Sequence, residues 1–292
     1  MTATVHDEAR RERSQARKER WHLLRRRPTF VFGSLIIMFW VFCAIGGEGV
    51  TTKDPNPTLS KLGTPFTKPF TDGYLFGTDS RGRDVLSRVM SGARDVFLVA
   101  PIAAILGVLF GTMLGLIMGY FRGWVDEVLG RLIDAVLAIP LILIALLVTT
   151  VLGKSKIVVI GTVAVLFTPI VARTVRAAVM AEAQLDYVTS AKLRGESAVF
   201  IMSREIIPNV TSPIIVELTV RIGYAVFTVA TLAFLGAGPQ PPSADWGLTI
   251  SQEYGNVFGG QWWPATIPAI AIASLVIGIN LVADSIEAVY NA

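Results

Sequence analysis

Residues Val96–Tyr120 read VFLVAPIAAILGVLFGTMLGLIMGY, a run without a single Asp, Glu, Lys, Arg or His. An α-helix rises 1.5 Å per residue, so about 20 residues cross a hydrocarbon core of about 30 Å. This run is long enough to span a bilayer. Inside it, Gly107, Gly111, Gly115 and Gly119 recur every fourth residue and so share one helix face. Such a face lets a neighbouring backbone approach closely. Packing against another helix of the same chain is the simpler expectation, ahead of an interface with a second subunit.

The rest of the chain fits the same solvent. Hydrophobic residues make up 52% and charged residues 16% of the 292, and mean hydropathy is +0.58. A soluble domain carries about a quarter charged residues, so a water-facing surface is excluded. Five further blocks are long and apolar enough to span: Thr29–Gly46, Leu132–Leu152, Ile157–Ala178, Pro213–Gly236 and Pro264–Val282. The expected fold is an all-α integral membrane protein of about six transmembrane helices. The expected organisation is a basic leader over 1–28, then a first span, outer loop and amphipathic helix over 29–95. A five-helix core over 96–292 follows, with a connecting segment over 179–208.

Charge orients these spans. The leader holds nine Lys or Arg, and the segments on its side of the membrane hold seven more. The opposite segments hold nine, of which seven lie between Glu48 and Asp95. The positive-inside rule then places both termini in the cytoplasm. Next to a span, the basic leader is read as a topology signal and not as a nucleic-acid site. The first apolar block starts too late for a cleaved signal peptide. Cys43 is the single cysteine, which excludes an intrachain disulfide.

The loop before Val96 begins with the Pro-rich Asp54-Pro55-Asn56-Pro57 and reads as irregular chain. It ends in a helical pattern, with Val85, Leu86, Val89, Met90, Ala93 and Phe97 on one face. That pattern predicts an amphipathic helix lying on the outer membrane surface. The Trp262-Trp263 pair, at the entry to the sixth block, is expected as an interfacial anchor.

Catalytic material is scarce. The histidines are His6 and His22, both in the leader, so a metal site or His-based proton transfer within the spans has no donors. Gly153-Lys154-Ser155 lacks the upstream glycine of a phosphate-binding loop, since Val148 stands there. The fifth block is more informative. Glu217, Arg221, Tyr224, Thr228 and Thr231 recur at spacings of four and three and form one polar stripe. Charges at that depth cost several kcal/mol against lipid. They are therefore expected to line a pore, or to form a buried pair at i and i+4. A shorter stripe of Asn280, Asp284, Glu287 and Asn291 ends the sixth block, and Asp134 is expected to pair with Arg131.

Asp186-Tyr187-Val188-Thr189-Ser190-Ala191-Lys192-Leu193-Arg194-Gly195 is followed twelve residues on by Ile207-Pro208. This spacing resembles the coupling loop of ABC importer permeases, in which a Glu-Ala-Ala triplet precedes a glycine. Here Thr189 and Ser190 replace Glu and Ala. Phe76-Gly77-Thr78-Asp79 with Gly82-Arg83-Asp84, Ala138-Ile139-Pro140, Phe234-Leu235-Gly236 and Trp246-Gly247 are similar to C-type dipeptide and oligopeptide permeases. The resemblance implies the type I importer permease fold in a prokaryotic plasma membrane. It implies ATPase coupling through Tyr187, Thr189, Ser190, Ala191, Gly195 and Pro208. Partners would be a homologous B-type permease, two ATPase subunits that bind ATP and magnesium, and an extracytoplasmic substrate-binding protein. No cofactor is expected in this chain itself. A secondary transporter or channel is the competing class, but it has no use for a coupling loop. A membrane enzyme lacks a nucleophile motif.

Overall fold

A computed structural model describes residues 22–49, 51 and 53–290. Arg10, Arg11, Arg13, Arg17, Lys18 and Arg20 of the leader, and Asn291, lie outside these residues. Among the described residues the chain is helical without a named strand. Nine helices have eight residues or more: α1 Pro28–Gly46, α2 Val85–Phe121, α3 Gly123–Leu137, α4 Leu141–Leu152, α5 Lys156–Glu182, α6 Asp186–Leu193, α7 Thr211–Phe234, α8 Trp246–Glu253 and α9 Trp263–Tyr290. Five of them (α1, α2, α5, α7 and α9) are long and apolar enough to cross a membrane; α3 and α4 make a sixth span if the bent pair is counted as one.

Two expectations change. The amphipathic stretch after Asp84 is not a separate surface helix. Asp84 caps it by accepting from the Ser87 N–H at 3.1 Å, and it runs without a break into Val96–Tyr120 as one 37-residue helix. No Gly or Pro interrupts Arg94–Phe97, so nothing turns the chain there. Its apolar face, with Val85, Val89 and Ala93 buried, meets protein and not lipid. The expected span Leu132–Leu152 is two helices bent by 83°. Pro140 supplies no N–H and disfavours helix at the residue before it, so the break falls there.

The core is organised by α2 against α5. A Cβ on Gly111 would stand 2.5 Å from Val171 Cβ, and one on Gly119 would stand 2.7 Å from Val179 Cβ. Gly107 and Gly115 meet Phe167 and Val175 in the same way. Residue numbers rise together on both helices, so the two run parallel with their backbones close along four turns. Helix α1 lies antiparallel to α9. Thr29 shares a hydrogen bond with Ser285 at 2.8 Å, Gly33 abuts the Gly278 carbonyl, and Trp40 Nε1 donates to Ser274 Oγ at 3.0 Å. The outward side of α1, with Phe32, Met38, Phe42 and Ile45, is bare apolar surface of the kind a bilayer covers.

These pairings place 183–210, the start of α1 and the end of α9 at one end of the bundle. Residues 53–84, the α4–α5 turn and 237–262 lie at the other. The α2–α5 contact yields a test. Gly111→Val forces a branched side chain into Val171 and the Thr168 carbonyl, which should cost about 1–3 kcal/mol or more. Gly161→Val, on the same α5 but facing open space, should be neutral. Thermal midpoints of the purified protein should separate the two, and equal midpoints would contradict a close-packed glycine face.

Candidate functional site

At the first end, α5 closes at Glu182 and a short turn leads into α6. The C-terminus of α6 is built as a Schellman motif. Gly195 has φ +79, its N–H donates to the Lys192 carbonyl at 3.0 Å, and the Glu196 N–H donates to the Ala191 carbonyl at 3.2 Å. Only glycine enters that left-handed position without strain. Val188 and Ala191 are buried with Val175, Val179, Ala183, Ile201 and Ile206. Ala191 is thus a correction: it seats the helix on its own chain and is not part of the outer face. Thr189, Ser190 and Gly195 do face outward.

Tyr187 fastens α6 sideways. Its hydroxyl donates to Glu182 Oε1 at 2.6 Å and accepts from Asn209 Nδ2 at 3.0 Å, while Asn209 also donates to the Glu205 carbonyl at 2.8 Å. Partial burial, then the Glu182 contact, pushes the phenol up to about 12, so it stays a neutral donor at physiological pH. Pro208 is exposed one turn before α7. Between them, Ile201–Ile206 forms a π-helical stretch that the sequence did not announce. Also missed were the apolar side chains that α6 and the short helical turn Ala198–Phe200 hold out to solvent. Leu193 is 84% exposed and Val199 71%, and Phe200 and Leu185 are exposed as well. Leu193, an apolar residue between Lys192 and Arg194 in a polar loop, was the available signal.

The polar stripe on α7 divides. Arg221 Nε donates to Glu217 Oε2 at 2.8 Å, and both side chains are 12% exposed. The Arg221 guanidinium also lies over Tyr224, 5.4 Å from the ring centroid, and 5.9 Å from that of Phe167 on α5. The pair is therefore satisfied within the bundle. Tyr224 is exposed, Thr228 half-buried, and Thr231 lines an apolar groove of about 500 Å³ between α7, α8 and α9. Of the stripe on α9, Asn280, Asp284 and Glu287 are exposed.

A second correction concerns Asp134. Arg131 pairs with Glu127 at 2.5 Å instead, and Asp134 pairs with Arg173 of α5. Arg176 grips Asp126 through two nitrogens. The two arginines thus tie α3 to α5, Arg176 through a partly buried contact and Arg173 through an exposed one.

The opposite end holds a buried charge cluster. Asp79 is fully buried. It accepts from the Arg81 and Arg83 N–H groups, each at 2.9 Å, and from Arg83 Nε at 2.6 Å, with Arg88 Nε 3.8 Å away. Arg88 in turn donates to the Pro55 carbonyl, Asn56 Oδ1 and the Ser243 carbonyl at 3.2, 2.8 and 2.8 Å. Glu253 of α8 accepts from Ser80 Oγ at 2.6 Å. Trp246 and Trp263 are buried here, donating to the Val89 and Thr78 carbonyls at 2.8 and 3.0 Å. Both are internal struts, which for Trp263 replaces the expected role of interfacial anchor; its neighbour Trp262 is half-exposed. This cap fixes the first and last long loops to the head of α2.

Residues 111–292 match the family described as the binding-protein-dependent transport system inner membrane component. The dipeptide transport system permease protein DppC of Haemophilus influenzae is 36% identical over 273 residues, covering 92% of each chain. DppC of Escherichia coli K12 is 36% identical over 277 residues, covering 92% of this chain and 91% of its own. The di/tripeptide transport system permease protein DppC of Pseudomonas aeruginosa is 33% identical over 275 residues, with coverage of 92% and 90%.

Asp245, which caps α8 by accepting from the Leu248 N–H at 2.9 Å, carries a pH-dependent cost. Burial pushes its carboxyl up to about 6, and nearby Asp95 adds to the rise. A raised folded-state value means the native protein takes up this proton more readily than the unfolded chain. Stability from this group is therefore greatest below about pH 4 and falls as pH rises through about 6, by at most about 3 kcal/mol. Asp245→Asn keeps a capping acceptor without the charge. The variant should melt higher than the parent at pH 8, and the difference should vanish near pH 4. Parallel melting curves across that range would contradict this.

Proposed function

The chain belongs to the binding-protein-dependent transport system inner membrane component family, and on that premise we propose that it is a membrane-spanning pore subunit of an ATP-driven importer of short peptides. Its fold is the type I ABC permease fold. The cargo follows from the relatives, whose names specify dipeptide or di/tripeptide transport. The observation that carries the reading is the α6 surface. A short helix is seated on the end of α5 by buried Val188 and Ala191 and pinned by Tyr187, yet it presents Leu193 to the outside, and the segment after it presents Val199 and Phe200. Isolated soluble surface rarely groups such side chains; a partner surface covers them.

That partner is an ATPase subunit, of which the assembly holds two; they bind ATP and magnesium and perform the hydrolysis. Thr189, Ser190 and Gly195 border the contact, Pro208 leads the chain back into α7, and Ala191 acts only by seating the helix. Both termini and α6 face the cytoplasm of a prokaryote. A homologous B-type permease completes the pore, and an external binding protein delivers peptide to the cap end. Tyr224, Thr228 and Thr231 line the path, while the Glu217–Arg221 pair holds that face of α7 in register. When an ATPase moves, the α6 lever pulls on α5 and, through Asn209 and Glu205, on the start of α7. Alternating access results, with no covalent chemistry in this chain.

Leu193→Asp tests the lever without touching the protein's own packing, because the side chain is already exposed. A charge in an apolar contact should weaken association by about 1.4 kcal/mol or more, that is, about tenfold. ATP-driven uptake of a labelled dipeptide by the reconstituted complex should fall accordingly, with membrane assembly unchanged. Uptake equal to the parent's would remove the coupling assignment.

A further inference from the structure

A cavity of about 590 Å³ lies at the cap end, between the head of α2, the α4–α5 turn and the segment before α8. Its charged lining is Arg94, Asp95, Lys154 and Lys156, with Ser243 and Gln240 among the neutral polar groups. Asp95 is already occupied. Lys156 Nζ donates to one carboxylate oxygen at 2.6 Å, and Ser243 Oγ donates to the other at 3.0 Å. Arg94 and Lys154 are different: among the described residues neither has a carboxylate within ion-pair distance. The lining thus holds three cations against one carboxylate. Two of these cations stand free, at the end of the bundle away from the basic leader. Basic side chains on that side run against the usual charge bias of membrane proteins.

The position of the cavity in the membrane is set by its neighbours. The α4–α5 turn is only residues 153–155, between two strongly apolar helices. Val151, Leu152 and Ile157 on either side are bare apolar surface, and Leu98 lines the cavity itself. Acyl chains cover such side chains, so Arg94 and Lys154 sit where hydrocarbon gives way to headgroups. Long basic side chains at that level reach for phosphate.

We propose that this cavity binds the phosphodiester headgroup of an anionic glycerophospholipid, with Arg94 and Lys154 on the phosphate and an acyl chain along Leu98 and Ile157. A zwitterionic lipid would bring a further cation to a site already in positive excess, whereas phosphatidylglycerol brings the missing charge. The inference depends on membrane embedding alone and stands apart from the transport reading.

The complete chain, with the subunits that copurify, is reconstituted in nanodiscs of equimolar phosphatidylglycerol and phosphatidylcholine. It is then stripped with detergent, and the retained lipid is identified by native mass spectrometry. Phosphatidylglycerol should be retained over phosphatidylcholine by about tenfold or more, the order expected when two basic side chains meet a headgroup of net negative charge instead of a neutral one. Arg94→Gln with Lys154→Gln should abolish the preference, while Lys61→Gln with Lys68→Gln, at the same end but outside the cavity, should leave it intact. Thermal midpoints in phosphatidylcholine alone should be the same for both double variants, which separates lost binding from lost folding. Equal retention of the two lipids would overturn the proposal. So would a preference that survives Arg94→Gln with Lys154→Gln, or displacement of the lipid by millimolar inorganic phosphate.

Discussion

The close contact of α2 with α5 is the constraint on which both ends of the molecule depend. Four glycines remove the side chains that would hold the helices apart, and Val171, Val175 and Val179 fill the space with stiff, branched groups. Dispersion over so short a separation is what stabilises helix pairs in a solvent as apolar as they are. The pair acts as one rod. At one end, Val175 and Val179, which face Gly115 and Gly119, also pack with Val188 and Ala191 of α6. At the other end, the first three turns of α2 carry Arg88 and Val89, which hold the outer loops. The α2–α5 pair therefore links the seat of α6 to the opposite end of the bundle.

The charge cluster around Asp79 is the second fixed point. Removing Asp79 would leave Arg83 and Arg88 buried without a counter-ion, the costly way to break such an arrangement. Arg88 joins the 55–56 loop, the 243 carbonyl and Asp79 through one planar group, a task for which guanidinium geometry is suited and an ammonium is not. The cap thereby makes α2, α8 and the head of α9 a single unit at the end opposite α6.

Much of the fold was legible in the sequence because lipid imposes a simple rule: about 20 apolar residues make a span. The five long helices match blocks that composition alone picks out, and Pro140 marked a break that hydropathy smoothed over. What depended on distant partners was not legible. Asp134 had Arg131 one turn away, yet its partner is Arg173, 39 residues on. Trp263 looked like an interfacial anchor because its partner, the carbonyl of Thr78, lies 185 residues away. Ala191 had the right size for a docking surface, but helical phase turned it inward. The same phase brought Leu193 out, where a reading of small residues did not look.

We infer that Leu193 touches an ATP-hydrolysing subunit. A photoreactive amino acid at position 193, with a control at exposed Ser203 on the neighbouring π-helical stretch, tests this in membranes carrying the intact assembly. The prediction is a covalent adduct from position 193 to an ATP-binding subunit, stronger than from position 203 and altered when ATP is trapped. Adducts from position 193 to lipid or solvent alone, in an assembly that transports peptide at the normal rate, would contradict it.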